Sequence, residues 1–169
     1  MVQSETARRE AFTALFSQMA PRLFRTALGM LGNPHDASDA LQEAGLKAYR
    51  YFDKLQQDEA GPAWLTRILI NACYDQGRRR SRSTPIGLEV EREEAADIPA
   101  ETDWELVQAL QTLPEEQRTT VVLRFFQDLT VPQIAAVMTV PDGTVKSRLH
   151  AALSRMRSQL IQSRREGVQ

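Results

Sequence analysis

Apolar residues return every three or four positions through most of the chain, the spacing of one buried face on an α-helix, and no strand-like alternation competes with it. Phe12, Leu15, Phe16, Met19, Leu23, Ala27, Leu28 and Leu31 make the first stripe. It predicts one amphipathic helix or two, because Pro21 lacks an amide hydrogen and its ring opposes the preceding turn. Gly32-Asn33-Pro34 supplies a turn. Ala37, Leu41, Ala44, Ala48, Phe52 and Leu55 form a second stripe, with Asp36 near its start as the cap. Pro62 suits the first turn of a third helix, striped by Leu65, Ile68, Leu69, Ala72 and Cys73.

Farther along, Leu106, Val107 and Leu110 predict a short helix stopped by Leu113-Pro114. Glu115, Glu116 and Gln117 then open a helix that buries Val121, Val122, Phe125 and Phe126, its acidic first turn complementing the helix dipole. Asp128 to Thr130 reads as a turn, Val131 to Met138 as a two-turn helix, and Thr139-Val140-Pro141 as a break. A long helix follows, striped by Val145, Leu149, Ala152, Leu153, Met156 and Leu160. A short helix, a three-residue turn and a longer basic helix make a helix-turn-helix. The expected fold is all-α: two small helical domains, 1–82 and 104–169, joined by a flexible acidic linker, 83–103, with the helix-turn-helix in the second domain.

Composition narrows the function. At 169 residues, with 42% hydrophobic and 25% charged, the chain can bury a core without staples. Cys73 has no second cysteine to pair with, and together with His35 and His150 it makes no metal-ligand set, so no metal or cofactor is expected. No apolar run approaches the roughly 20 residues of a membrane span and the N-terminus lacks a signal peptide's apolar centre, which predicts a cytoplasmic protein without membrane insertion. An enzyme reading lacks a glycine-rich phosphate loop, a metal cluster or a nucleophile with its base. The net charge of -1 conceals segregation: Trp64 to Arg82 carries +4, residues 83 to 103 carry -6, and Asp142 to Arg165 carries +5. Two basic segments flank an acidic tether punctuated by Pro85, Gly87 and Pro99.

The outward face of the last helix displays Ser147, His150 and Ser154, flanked by Lys146, Arg148, Ala151 and Arg155. Lysine and arginine neutralise phosphates or pair with guanine, serine bonds either phosphate or base, and alanine admits a thymine methyl. The helix start, Asp142 to Thr144, would aim amides at a phosphate. A solvated basic face would carry the same charges, but the helix-turn-helix spacing coincides with them and favours DNA. On the third helix Trp64, Arg67, Asn71, Tyr74 or Asp75, and Arg78 share a face whose cations, amide and aromatics fit nucleic acid. There Trp64 reads better as core, and the run Arg78, Arg79, Arg80 and Arg82 as facing DNA. The second helix exposes Asp39, Gln42, Glu43, Lys47 and Arg50, either a solvated face or a docking surface for basic groups of a partner.

The string Asp36-Ala37-Ser38-Asp39-Ala40-Leu41-Gln42-Glu43, followed by Leu46-Lys47-Ala48-Tyr49-Arg50, resembles the most characteristic helix of bacterial RNA polymerase sigma factors of the sigma-70 superfamily. Trp64-Leu65-Thr66-Arg67-Ile68, continuing through Asn71 and Asp75 to Arg78-Arg79-Arg80, resembles their promoter -10 helix. Leu113-Pro114, Val122-Leu123-Arg124-Phe125, Ile134-Ala135 and Gly143-Thr144-Val145-Lys146-Ser147-Arg148-Leu149-His150 are similar to their -35-reading domain. The small size matches the extracytoplasmic-function (ECF) type. The resemblance implies that Asp39, Gln42 and Glu43 dock on the clamp helices of the largest subunit of core RNA polymerase. It implies that Gln56, Gln57 and Asp58 hold a flipped -10 base, that Arg67, Asn71, Arg78 and Arg79 follow the -10 element, and that Thr144, Lys146, Ser147, Arg148, His150 and Arg155 contact the -35 element. Promoter DNA and core polymerase are the implied partners, and relatives of this type usually have an anti-sigma inhibitor as well. Two departures stand out: Gly45 replaces a bulky apolar residue, at a helix cost of about 1 kcal/mol, and Ala151 replaces a frequent arginine.

Roughly 20 linker residues extend to at most about 65 to 70 Å, and promoter elements separated by around 16 base pairs lie about 55 Å apart. Both domains can therefore reach their elements. By analogy with the family the acidic tether, with Glu89, Glu91, Glu93 and Glu94, imitates RNA in the polymerase's exit path. Two alternatives stay open at this level. A free-standing helix-turn-helix repressor would bind its operator at nanomolar concentration without polymerase, and a protein-only helical adaptor would tolerate loss of Arg148 or His150.

Overall fold

A computed structural model describes residues 2–52, 61–83 and 98–166. Among them are seven α-helices: α1 (Val2–Leu31), α2 (Pro34–Tyr51), α3 (Pro62–Ser83), α4 (Trp104–Gln111), α5 (Glu115–Phe125), α6 (Val131–Met138) and α7 (Asp142–Glu166). The first stripe is one helix: α1 runs straight through Pro21, which lies exposed on its outer side. There the missing amide bond faces water, which can satisfy the orphaned carbonyl. The turn before α2 is capped by Asn33 rather than Asp36. The Asn33 side-chain oxygen accepts from the amides of His35 and Asp36, and Pro34 occupies the first helical position. Asp36 and His35 thus lie within the first turn instead of preceding it.

Helices α1, α2 and α3 pack around Leu23, Ala27, Ala37, Ala40, Ala44, Leu65 and Leu69. The run of alanines on α2 lets it approach its neighbours closely, and Gly45 extends that logic: a Cβ there would lie 3.0 Å from the Phe16 ring. Phe16 fills the space that a bulky residue at 45 would have taken. Phe12 sits between Phe16, Tyr49 and Phe52, with ring centroids 5.3 to 5.6 Å apart. Cys73 is buried in this core, and burial pushes its thiol up to about 12, so it is a packing group at neutral pH.

The second unit packs α4 to α7 around Leu110, Val122, Leu123, Ile134 and Val145. Asp103 caps α4 and Thr130 caps α6, each side-chain oxygen accepting from a first-turn amide, and the Thr130 amide donates in return to the Gln133 side-chain oxygen. Three expected core residues face out: Phe125, Leu153 and Leu160 are all exposed. The α5 stripe is completed by Thr119, Thr120 and Leu123 instead, and the last turns of α7, from Leu160 to Glu166, are exposed.

The two units also touch each other. The end of α1 lies against α4 and α5, and α3 lies against α6. The linker reading covers residues 83 to 103, of which Ser83 ends α3 and Ile98 to Asp103 turn into α4; the rest lies outside the described residues.

Candidate DNA and polymerase-docking surfaces

The helix-turn-helix is made by local chemistry. Thr139 takes a left-handed conformation (φ 56°) that ends α6, the Val140 amide donates to the Ala135 carbonyl at 3.0 Å, and Pro141 starts the approach to α7. Val145, Ala152 and Met156 then turn inward, with Leu149 half-buried, which fixes the opposite face outward. Lys146, Ser147, His150 and Arg155 are exposed there, with Ser154 beside them, while Thr144 and Ala151 are half-buried. Arg148 stands apart. Its side chain is only 18% exposed, and it donates to Glu116 Oε2 of α5 at 2.9 Å, so in this state it braces α7 against α5.

On α3 the outward positions are Arg67, Asn71, Arg78 and Arg79, with Trp64, expected in the core, half-buried and packed against it at the margin. Most of their cations have intramolecular acceptors. Arg67 Nη2 donates to the Ala136 carbonyl at 2.9 Å, Arg78 to Asp75 at 2.8 Å, Arg79 to Glu43 at 2.8 Å and Arg80 to Asp36 at 2.9 Å. Gln56, Gln57 and Asp58 lie outside the described residues.

On α2, Gln42 is exposed and Asp39 lies 3.5 Å from His35. Glu43 has both oxygens engaged, Oε1 by Lys47 at 2.9 Å and Oε2 by Arg79 at 2.8 Å. The docking and DNA candidates that looked separate in the sequence thus meet in one ion-pair network between α2 and α3. Partial burial pushes the Glu43 carboxyl up, but the bonds from Lys47 and Arg79 outweigh it and hold it below the ordinary carboxylate range. The bond from Arg78 does the same for Asp75 against burial, with help from Lys47. Groups lowered on folding stabilise the fold above their unfolded pKa and lose that contribution as pH falls through the folded one. Glu43→Gln is therefore expected to be less stable than the parent at neutral pH by under about 1 kcal/mol, the scale of exposed pairs. Urea titrations from pH 7 to pH 3 should show that gap closing, and a gap independent of pH would dismiss the network.

Sequence reasoning missed Leu46 and Tyr51, both exposed beside this face. Leu46 follows Gln42 by one helical turn and adds apolar area to a polar patch. Its exposure was legible only in that it falls outside the alanine stripe. Arg118 was missed as well; no local signal distinguishes it. Among the described residues no group of three or more His, Cys, Asp or Glu side chains could hold a metal ion, and no helix is long and apolar enough to cross a membrane.

The helical unit with the acidic and basic helices matches the family model of Sigma-70 region 2 over residues 15–83, and the helix-turn-helix unit matches that of Sigma-70, region 4 over residues 103–156. This pairing defines a sigma factor of the sigma-70 class. The chain is 36% identical over 150 residues to the ECF RNA polymerase sigma factor SigM of Mycobacterium tuberculosis (strain ATCC 25618 / H37Rv), covering 88% of this chain and 76% of that relative. It is 27% identical over 168 residues to the ECF RNA polymerase sigma factor SigW of Bacillus subtilis (strain 168), covering 90% of each. The chain belongs to the ECF RNA polymerase sigma factors. The same fold occurs in the sigma factor RpoE in complex with the anti-sigma factor NepR from Bartonella quintana, with TM-score 0.69 and 23% identity over 88% of this chain and 97% of that one. It also occurs in CnrH in complex with the cytosolic domain of CnrY, with TM-score 0.70 and 23% identity over 94% of this chain and 93% of that one.

Proposed function

We propose that this sigma factor binds core RNA polymerase through Asp39, Gln42 and Glu43 of α2, with Leu46 at their edge, and directs it to promoters read at two separated elements. Residues 1–82 form the docking and -10 domain, 83–103 the tether and 104–169 the -35 domain. Lys146 and Arg155 position α7 on phosphates, Ser147 and His150 meet base edges, and the Thr144 end of the helix faces a phosphate. Arg148 joins them by exchanging Glu116 for a phosphate oxygen. Arg67, Asn71, Arg78 and Arg79, with Gln56, Gln57 and Asp58, hold the -10 strand, whose opening costs about 1.4 kcal/mol per base-pair step and is offset by stacking and pocketing of bases. The protein makes no covalent change in its partners and works in the cytoplasm, beside polymerase and chromosome. An anti-sigma inhibitor is a further partner by likeness to its structural neighbours.

The observation that carries this reading is the exposed row Lys146, Ser147, His150 and Arg155 on the second helix of a helix-turn-helix, opposite a buried Val145-Ala152-Met156 seam. Run-off transcription with core polymerase and a pool of randomised promoters tests it. The parent chain should select new start sites. Lys146→Ala should weaken all of them alike and lower the salt slope by about 1, whereas His150→Ala should relax preference at one upstream position, by about 1–3 kcal/mol of discrimination. No new start site with the parent chain would overturn the proposal.

A further inference from the structure

Gly77 stands inside α3, where a glycine costs helix stability relative to alanine and calls for a packing reason. Its surroundings supply none: a Cβ built there would meet only Leu31 Cδ2, at 4.0 Å, so a side chain fits without strain. What the missing side chain keeps open is a cavity of about 440 Å³, where the last turns of α3 meet the end of α1 and the start of α5. That volume falls within the roughly 300–1,000 Å³ of small-molecule sites. Arg78, Arg80, Arg82 and Arg118 line it against one carboxylate, Glu115, and Ser81 adds a hydroxyl. Asp75 holds Arg78 and Asp36 holds Arg80. Arg82 and Arg118 differ: among the described residues neither has a carboxylate within ion-pair distance, and Arg118 donates only to main-chain carbonyls. A half-buried guanidinium with neutral acceptors alone, beside an open cavity, is a cation whose charge an anion would compensate.

We propose that this cavity binds a small polyphosphate anion, the chain of two or three phosphates that a nucleoside di- or triphosphate carries or that occurs free. The lining selects that class. A single negative charge would leave most of the guanidiniums uncompensated and would meet Glu115, whereas a phosphate chain brings several charges and many acceptor oxygens to donors spread over two helices. Four of the five N–H donors of Arg118 serve carbonyls, which leaves one on Nη1 for a phosphate oxygen. The Ser81 hydroxyl, now donating to the Gly77 carbonyl at 3.0 Å, can turn to another. Arg82 is exposed and free to close over the chain, and Leu31 gives an apolar floor. A nucleic-acid strand along the outward face of α3 needs the arginines but not the volume beside Gly77, and that separates this ligand from promoter DNA.

Isothermal titration calorimetry on the full chain, at about 0.15 M salt and without divalent metal, is the test. Inorganic triphosphate should bind one to one, and far more tightly than sulfate. ATP carries the same chain: tighter binding than triphosphate names a nucleotide as the source, and equal or weaker binding names the free chain. Gly77→Leu fills the cavity without removing a cation. It should weaken triphosphate binding at least about tenfold without lowering the thermal midpoint, while a random pool of 12-nucleotide single-stranded DNA should bind it within about twofold of the parent. Should circular dichroism show Gly77→Leu misfolded, Arg82→Glu replaces it, with the same loss of triphosphate binding. No heat of binding with triphosphate, sulfate bound as tightly, or triphosphate affinity unchanged in a folded Gly77→Leu or Arg82→Glu chain would each overturn the polyphosphate site. So would single-strand binding that falls in Gly77→Leu as far as triphosphate binding does, since the cavity would then belong to nucleic-acid phosphates.

Discussion

Asp39→Lys is expected to weaken capture by core RNA polymerase by about 100-fold, or about 2.7 kcal/mol, while leaving the fold intact. Asp39 projects from α2 beside Gln42, with its side chain 46% exposed and only a 3.5 Å contact to His35. Losing that contact should change stability by less than about 0.5 kcal/mol. The large effect comes from the partner's side: a carboxylate that meets basic groups at a docking surface becomes an ammonium facing them, and like charges brought together cost several kcal/mol. Glu43 would be a poorer probe, since its oxygens also hold Lys47 and Arg79 and its loss disturbs α3. Titration of a fluorescently labelled chain with core polymerase measures the effect. A dissociation constant within threefold of the parent's would remove α2 as the docking helix.

Arg118→Ala is expected to destabilise the chain by about 3 kcal/mol. The guanidinium is half-buried and serves four carbonyls: Nε donates to Leu110 at 3.0 Å, Nη1 to Met30 at 2.7 Å, and Nη2 to Leu113 at 3.0 Å and Gln111 at 3.3 Å. Three of these acceptors belong to the end of α4 and its exit turn, so one cation closes that helix and ties it to α1. Burial lowers the guanidinium's pKa, with Glu115 acting in the opposite direction, and the group stays charged at neutral pH. Hydrogen bonds to a charged group are worth about 1.5–3 kcal/mol each, but the effect is far from additive because water reaches a half-exposed site. Arg118→Lys keeps the charge but not the planar fork that spans several acceptors, so about half the loss should remain. Urea unfolding followed by circular dichroism is the measurement, and a loss below 1 kcal/mol for the alanine variant would show that water replaces the fork without penalty.

Helix existence and order were legible because the signals are local. Pro62, Leu113-Pro114 and Pro141 mark boundaries through their missing amides and fixed φ, and the three-to-four spacing marks one inward face per helix. Local signals failed where a neighbour decided the outcome. Pro21 could have broken α1, but it falls on the solvent side; Phe125 belonged to an apolar run, but it lies exposed among the described residues. Gly45 looked like a weakness of the docking helix until Phe16 was found against it. The candidate residues were equally legible as types and positions, through the charge blocks and the family strings. Their pairing was not: Glu43 with Arg79 and Arg148 with Glu116 join residues 36 and 32 positions apart.

By itself the sequence determined an all-helical chain, a helix-turn-helix with a cationic outer face, an acidic patch on the second helix, and the sigma-factor resemblance that the family matches bear out. All of these follow from side-chain types repeating within a few turns. The tertiary structure alone decided that the two halves close on one another. That contact is made largely by main-chain carbonyls of Gly29, Met30 and Ala136, groups every residue carries and no sequence pattern distinguishes, and it becomes visible only when folding brings Gln111, Arg118 and Arg67 within hydrogen-bond reach of them.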